Sequence, residues 1–192
     1  MNKEKQEIKL ILNFDKDMKL INNGINPVRK ALMGYYGEII VASEFRKRGV
    51  SVERKGNLTG YDLLVNGKKI EVRTSEIKIE RAFPNKITAW GWKLQSTNRK
   101  KEPKPINYDI IVLVKLKGNW KDYELFMLSH KEVEEVGITK FSGYQTVARV
   151  IYLFKNPLKE AIKKDKNKMI TKKCIEFNKN PKKFIINWNR LK

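Results

Sequence analysis

Residues 60–75 read GYDLLVNGKKIEVRTS and carry the strongest structural signal of the chain. Asn66 and Gly67 lie between two runs in which apolar and polar residues alternate. An Asn-Gly pair in that setting is the strongest short signal for a two-residue hairpin turn. We therefore predict two antiparallel strands, over 61–65 and 69–74.

The register set by this turn brings two carboxylates face to face. Asp62 is expected directly opposite Glu71, with Cβ atoms about 5 Å apart, so that the like charges repel. A divalent cation between the carboxylates would remove the repulsion. Alternatively, Lys69 or Arg73 on the same face would turn the pair into a structural ion-pair cluster.

A helix is predicted upstream of the hairpin, over 28–48, because apolar residues recur there at helical spacing. Glu38 shares an apolar face of this helix with Phe45. An acid on a buried face is costly unless it is paired or used. Glu38 therefore either reaches an arginine at the edge of the helix or joins the two facing acids of the hairpin.

Five further strands are expected from apolar runs, at 50–54, 87–95, 108–114, 123–128 and 146–154. The run 108–114 is continuously apolar, which is typical of a central strand covered on both faces. Ser129 and Glu132 match the capping box that opens a helix. We therefore predict an α/β fold in which helices flank a mixed central sheet.

Three segments are predicted along the chain. An N-terminal helical extension covers 1–27, the α/β core covers 28–155, and a basic helical tail packed on the core covers 156–192. The last helix of the tail is expected to begin at Asn180 and to carry three apolar residues at helical spacing: Phe184, Ile185 and Trp188.

The charge balance points to a polyanionic partner. The chain has 192 residues, of which 42 are Lys or Arg and 21 are Asp or Glu, so its formal net charge is +21. Such a charge attracts nucleic acid or an anionic membrane surface. We predict nucleic acid as the partner, and a lysine-rich solvated surface is the alternative. The 41% of hydrophobic residues suffices for a folded core.

Several functional classes are excluded by the composition. Cys174 and His130 are the only cysteine and histidine, so internal disulfides and Cys- or His-rich metal sites are excluded. A metal would be held by carboxylates and carbonyls, which suit Mg²⁺, Mn²⁺ or Ca²⁺. No apolar run reaches the roughly 18–20 residues of a transmembrane helix, and the first residues lack a signal-peptide pattern. We therefore expect a cytoplasmic protein without a membrane partner.

The motifs around the hairpin resemble those of the PD-(D/E)XK nuclease superfamily, which includes restriction endonucleases and archaeal Holliday-junction resolvases. Gly60-Tyr61-Asp62 is followed by a short strand, a turn and the run 70–75, IEVRTS. The preceding helix carries Gly37-Glu38. The resemblance covers 34–116, and it implies a restriction-endonuclease-like core that hydrolyses DNA phosphodiesters with Mg²⁺ or Mn²⁺.

The resemblance also implies a role for each motif residue. Asp62 and Glu71 match the two acids that hold the metal, and the backbone carbonyl of Val72 often completes such sites. Glu38 matches a helix acid that is usually an outer or second-metal ligand. Arg73 stands where the family has a lysine, and the implied catalytic set comprises these four side chains: Glu38, Asp62, Glu71 and Arg73.

Arg73 departs from the family pattern. The family's lysine is thought to orient or activate the attacking water, and an arginine cannot act as a base. In one interpretation Arg73 stabilises charge on the phosphate while the metal activates the water. In a second, Lys69, Lys78 or Lys93 supplies the amine. In a third, the site binds DNA and cuts it poorly or not at all.

Basic side chains near these motifs are candidate phosphate contacts, although each one alone is more often a solvated charge. The candidates are Arg46, Lys47, Arg48, Lys69, Lys78, Lys93, Arg99, Lys100 and Lys101. Trp90 and Trp92 share one face of the strand at 87–95. They either pack in the core, which we favour, or contact DNA.

The sequence therefore predicts a metal-dependent DNA endonuclease, restriction-like first and junction resolvase second, acting on double-stranded or branched DNA. A homodimer would suit the cutting of two strands. One alternative is a catalytically degenerate DNA-binding module on the same fold. Another is an RNA-binding or ribosome-associated basic protein.

Overall fold

The computed structural model describes residues 3–20, 26–55, 60–79, 87–96, 107–118, 120–141, 147–155, 158–164 and 172–191. Its elements in chain order are α1 (Lys3–Leu20), α2 (Asn26–Arg46), β1 (Val52–Arg54), β2 (Leu63–Val65), β3 (Lys68–Glu76), β4 (Lys78–Ile79), β5 (Thr88–Ser96), β6 (Ile110–Leu116), β7 (Tyr123–Ser129), α3 (His130–Val136), β8 (Ile138–Phe141), β9 (Val147–Phe154), α4 (Leu158–Lys164) and α5 (Lys172–Lys179). Two 3₁₀ turns follow, at Pro181–Phe184 and Trp188–Leu191.

A five-stranded mixed sheet lies at the centre of the fold, in the order β1-β2-β3-β6-β7. Strands β3 and β6 are parallel, and the other neighbours are antiparallel. Helix α2 packs on one face, and a second, antiparallel sheet in the order β4-β5-β9-β8 packs on the other. The predicted mixed α/β class is confirmed. The second sheet was not predicted, because the pairing of β5 with β9 joins segments far apart in sequence.

Strand β6 is covered on both faces, as its continuous apolar sequence predicts. Val112 and Val114 pack in the core beneath α2. Ile111 and Leu113 pack in the core beneath the second sheet. Because β6 pairs with β3 along its whole length, this buried strand fixes the position of Glu71 on β3.

The hairpin between β2 and β3 has the predicted turn and register. Asn66 has φ 49° and Gly67 has φ 78°, as the two central residues of a type I′ turn require. Val65 pairs with Lys68, and Leu63 pairs with Ile70. The turn therefore carries the apolar face of the hairpin into the core beneath α2.

The two tryptophans of β5 belong to the core, which confirms the favoured interpretation. Trp90 is 8% exposed and Trp92 is 1% exposed. Their Nε1 groups donate to the Leu116 carbonyl at 2.9 Å and to the Val114 carbonyl at 3.1 Å. Both rings therefore join β5 to β6, and neither offers a face to DNA.

Helix α2 approaches β3 most closely at Gly37, and replacing this glycine with alanine should destabilise the fold. A Cβ at Gly37 would lie 1.8 Å from Thr74 Oγ1 and 3.0 Å from Thr74 Cβ. Gly37→Ala is therefore expected to lower the free energy of unfolding by about 1–3 kcal/mol, because helix and strand must separate. Urea denaturation measures this change.

Gly34 supplies the matched control on the same helix. A Cβ at Gly34 meets nothing within 4 Å, so Gly34→Ala should raise stability by about 0.5–1 kcal/mol through helix propensity. Equal effects of the two substitutions would show that α2 does not press on β3 at Gly37.

The predicted last helix is wrong. A 3₁₀ turn ends at Phe184, and the chain then becomes extended and forms a bridge with β7. The Ile186 N–H donates to the Leu125 carbonyl at 3.1 Å. Because β7 is an edge strand with free backbone groups, it takes this segment as a short partner, and that pairing outweighs the helical periodicity.

Helix α1 packs on α2 through Ile8, Ile11 and Leu12. Among the helices in the described ranges, none combines the length and apolar character needed to cross a membrane.

Candidate active site

Asp62 lies just beyond the point where β2 stops pairing with β3. Its N–H donates to the Ile70 carbonyl at 2.9 Å, and its Oδ2 accepts from the Val72 N–H at 2.7 Å. The prediction that Asp62 stands directly opposite Glu71 is therefore corrected, since the last paired residues are Leu63 and Ile70. The chain bends here, and the carboxylate takes the hydrogen bond that a continuing strand would have supplied.

Glu71 is a buried acid on β3. It is 5% exposed, and its carboxylate pairs with the guanidinium of Arg73, two residues along the strand. Burial raises the pKa of Glu71 to about 7, Arg73 opposes the rise, and the charges of Asp62 and Glu38 add to it. Glu71 therefore loses its proton only near neutral pH.

The pKa of Asp62 is also raised, and burial is again the first cause. The hydrogen bond from Val72 and the charges of Arg73 and Arg54 act in the opposite direction. Two neighbouring carboxylates that are both costly to ionise favour an added positive charge, and a bound cation supplies one.

Glu38 is paired with an arginine, which is one of the two alternatives left by the sequence. Arg54 at the end of β1 donates to Glu38 Oε2 at 3.1 Å. Burial raises the pKa of Glu38, and the Arg54 hydrogen bond opposes this rise. Sequence reasoning missed Arg54, because its place beside Glu38 depends on the pairing of β1 with β2.

The candidate donors here are two carboxylates and a backbone carbonyl, the ligand types that a magnesium-type ion takes. The N–H and C=O of a strand residue point to the same neighbour, so the Val72 carbonyl faces the side on which Asp62 lies. Across the described ranges, no group of three or more His, Cys, Asp or Glu side chains could hold a metal ion. Asp62, Glu71 and the Val72 carbonyl, which supply only two such side chains, remain the candidate set that the sequence proposes. This matches Mg²⁺, which usually takes one or two carboxylates and completes its shell with water and substrate phosphates.

The basic candidates at the end of α2 are partly engaged within the chain. Lys47 donates to Glu44 Oε1 at 2.6 Å, and Arg48 donates to Glu44 Oε2 at 2.8 Å. Arg48 also lies over the Trp188 ring, at 3.9 Å from its centroid. Arg46 donates to the Val52 carbonyl at 3.2 Å. Phosphate contacts by these side chains would have to share their donors with existing partners.

The remaining basic candidates are more scattered. Lys69 Nζ donates to Asn107 Oδ1 at 3.1 Å, and Lys93 is exposed on β5. The backbone of Lys78 is in β4, and its side chain lies outside the described part of the structure. Three candidates fall outside the described residues altogether: Arg99, Lys100 and Lys101.

Tyr108 and Asp109, which directly precede β6, were not singled out by the sequence; Tyr108 lies near Glu71, and Asp109 holds the start of β3. Burial raises the pKa of Tyr108, and the charge of Glu71 adds to this rise. Asp109 Oδ2 accepts from the Lys69 N–H at 2.8 Å, and the Asp109 N–H donates to the Lys69 carbonyl at 2.9 Å. Only the parallel pairing of β3 with β6 brings these residues to the hairpin.

Comparison with known proteins shows a distant likeness among solved structures. No protein-family model and no curated protein matches the chain. Among solved structures, the chain is similar to a bacterial homing endonuclease, with a TM-score of 0.45 and 17% sequence identity over 74% of this chain and 84% of that chain. A likeness at this level carries no argument, so the function proposed below rests on the chain's own residues.

Proposed function

We propose that this protein is a divalent-metal-dependent DNA endonuclease. The observation that carries the proposal is the placement of Asp62 and Glu71. Both acids have raised pKa values, the charge of Asp62 contributes to the raised pKa of Glu71, and the charge of Arg73 acts on both. A chain with a net charge of +21 brings such a site to a polyanion.

In this proposal Asp62, Glu71 and the Val72 carbonyl hold Mg²⁺ or Mn²⁺. When bound, the ion lowers the pKa of the attacking water and offsets charge on the phosphate. The side chains that hold it are fixed before DNA arrives, because Asp62 is tied to the Val72 N–H at 2.7 Å and Glu71 is buried. Glu38 either serves as an outer ligand of the metal ion or acts through its partner Arg54.

Arg73 has an electrostatic role in this proposal. Arginine stays protonated and cannot take a proton from water, but its planar guanidinium can bind two phosphate oxygens. The Arg73 side chain is 42% exposed, so it can turn from Glu71 toward a phosphate once a cation neutralises that acid. This movement would place the positive charge of Arg73 beside the phosphate, on which negative charge develops during cleavage.

We propose DNA, double-stranded or branched, as the substrate. Restriction-like cleavage is the first subclass and junction resolution the second. A homodimer would present two such sites to the two strands. The candidate phosphate contacts remain the basic side chains named above.

A degenerate DNA-binding module is the second candidate function. The ion pair between Arg73 and Glu71 favours it, because a guanidinium on the metal-binding acid competes with the cation. Such a module would bind duplex DNA in Mg²⁺ and give no product over long incubation.

Cleavage of a supercoiled plasmid, of a four-way junction and of a matched RNA duplex tests the proposal. The reactions would contain Mg²⁺, Mn²⁺, Ca²⁺ or EDTA. We expect DNA products with Mg²⁺ or Mn²⁺ and none with EDTA. Discrete plasmid fragments indicate the restriction subclass, and junction-selective products indicate the resolvase subclass. DNA binding without cutting supports the degenerate module, and a preference for RNA at matched salt overturns the DNA assignment.

A further inference from the structure

Arg54 is held beside the candidate metal ligand Asp62. It is the last residue of β1 and pairs with Leu63. The N–H of the next residue, Lys55, donates to the Asp62 carbonyl at 2.8 Å. The backbone pairing therefore places Arg54 next to Asp62, on the side of the sheet that α2 covers.

Three contacts hold the Arg54 guanidinium. It donates to Glu38 Oε2 at 3.1 Å and to the Tyr35 hydroxyl at 3.4 Å, and it lies over the Tyr35 ring at 4.4 Å from the centroid. Its side chain is 27% exposed, and each of its two Nη groups carries two N–H donors, of which these contacts use one. An oriented, partly exposed guanidinium with spare donors is suited to bind phosphate oxygens.

Glu38 is already engaged within the chain. Its Oε2 is taken by Arg54, and the described residues contain no group of three acids that could hold a metal ion. Glu38 therefore already serves as the anchor of an arginine. Arg54 and Arg73 then lie near Asp62 as two separate cationic groups, one tied to α2 and the other to β3.

We propose that Arg54 binds a backbone phosphate of the DNA next to the phosphate attacked at Asp62, and that Glu38 positions Arg54 rather than ligating the metal. This inference rests on the proposed function, because it takes DNA as the ligand. It adds a contact that the sequence motifs do not contain. It also assigns the acid of α2 to DNA binding instead of metal binding.

Binding of a labelled DNA duplex in EDTA, over a series of salt concentrations, tests the role of Arg54 without any cleavage. Arg54→Gln is expected to weaken binding roughly 10-fold and to reduce the slope of log K against log[salt] by about 0.9, as the loss of one phosphate contact predicts. An affinity and slope equal to those of the parent would overturn the inference.

Arg29→Gln is the matched control. Arg29 also pairs with a glutamate, Glu76, and lies over an aromatic ring, Trp120, at 4.9 Å from the centroid. Glu76 is at the other end of β3 from the acids. The control variant should keep the parental salt slope. An equal loss of slope in both variants would show that any lost arginine has this effect, and it would overturn the assignment to Arg54.

The role of Glu38 is tested with Glu38→Ala and with the double variant that also carries Arg54→Gln. If Glu38 positions Arg54, Glu38→Ala should bind DNA more weakly in EDTA and should keep the parental Mg²⁺ midpoint for cleavage. The double variant should then bind no more weakly than Arg54→Gln alone. A rise in the Mg²⁺ midpoint with unchanged binding in EDTA would overturn the positioning role of Glu38.

If the parent binds no DNA, the proposed function and this inference both fail. If the parent binds DNA without cutting, the proposed endonuclease fails while the binding comparisons still decide the inference.

Discussion

Asp62→Asn is expected to lower the rate of DNA cleavage by about 10³-fold, equivalent to about 4 kcal/mol of transition-state stabilisation. The substitution removes a negative charge from the candidate metal site. The remaining amide oxygen can still accept from the Val72 N–H, a contact of 2.7 Å in the parent, so the strand edge should persist. Single-turnover cleavage in Mg²⁺ measures the rate, and duplex binding in Ca²⁺ should stay close to that of the parent.

Asp109→Asn is the matched control for this substitution. Asp109 also accepts from a backbone N–H, that of Lys69, at 2.8 Å, and it lies at the start of β6, beside the hairpin. We expect this variant to cleave at close to the parental rate. Parental cleavage by Asp62→Asn, or an equal loss in both variants, would contradict the assignment of Asp62 as the metal ligand.

Glu71→Gln is expected to raise the stability of the metal-free protein at pH 8 and to remove much of its pH dependence. The pKa of Glu71 rises from 4.5 to about 7 in the folded chain, mainly through burial. Between these two values the folded state keeps a proton that the unfolded state has lost. Stability therefore falls as pH rises through this window, and the loss is complete above about pH 7.

The full loss of folding stability caused by ionisation of Glu71 is about 3 kcal/mol, at 1.36 kcal/mol per pKa unit. Urea denaturation of parent and variant at pH 5 and pH 8, both in EDTA, measures this difference. The variant should gain most at pH 8. Added Mg²⁺ should stabilise the parent at pH 8 and leave the variant almost unchanged, because binding to the folded state alone stabilises it.

Glu124→Gln should change the stability in the opposite direction to Glu71→Gln, and it serves as the control. Ion pairs with Lys115 and Lys117 lower the pKa of Glu124 despite some burial. An acid with a lowered pKa stabilises the fold above its unfolded pKa, and that contribution is lost as pH falls. This variant should therefore lose stability at neutral pH. A Glu71→Gln variant that is destabilised at pH 8 like Glu124→Gln would contradict the account of Glu71 as a costly buried acid.

Local sequence patterns predicted the parts of the fold that depend on neighbouring residues. Asn66-Gly67 fixed the turn and register of the hairpin because both positions need positive φ. The capping box at Ser129 and Glu132 is present as predicted. The alternation that placed Trp90 and Trp92 on one face correctly indicated core residues.

Contacts between distant segments were beyond the reach of these patterns. The chain bends at Asp62, so the pairing of β2 with β3 ends at Leu63 and Ile70, one pair earlier than predicted. The Asp62 carboxylate, rather than a strand carbonyl, then accepts from the Val72 N–H. The pairing of Glu38 with Arg54 depends on the register of β1, which no turn signal specifies. The tail after Phe184 follows the free edge of β7 rather than its own helical periodicity.

The most direct test of the central claim is a Mg²⁺ titration of single-turnover cleavage of a labelled DNA duplex and a four-way junction by the parent protein. We expect cleavage that rises with Mg²⁺, is supported by Mn²⁺ and stops on addition of EDTA. Cleavage that persists unchanged in EDTA would contradict a metal site at Asp62 and Glu71. Tight DNA binding with no cleavage in either cation would show that the protein binds DNA and is not an endonuclease.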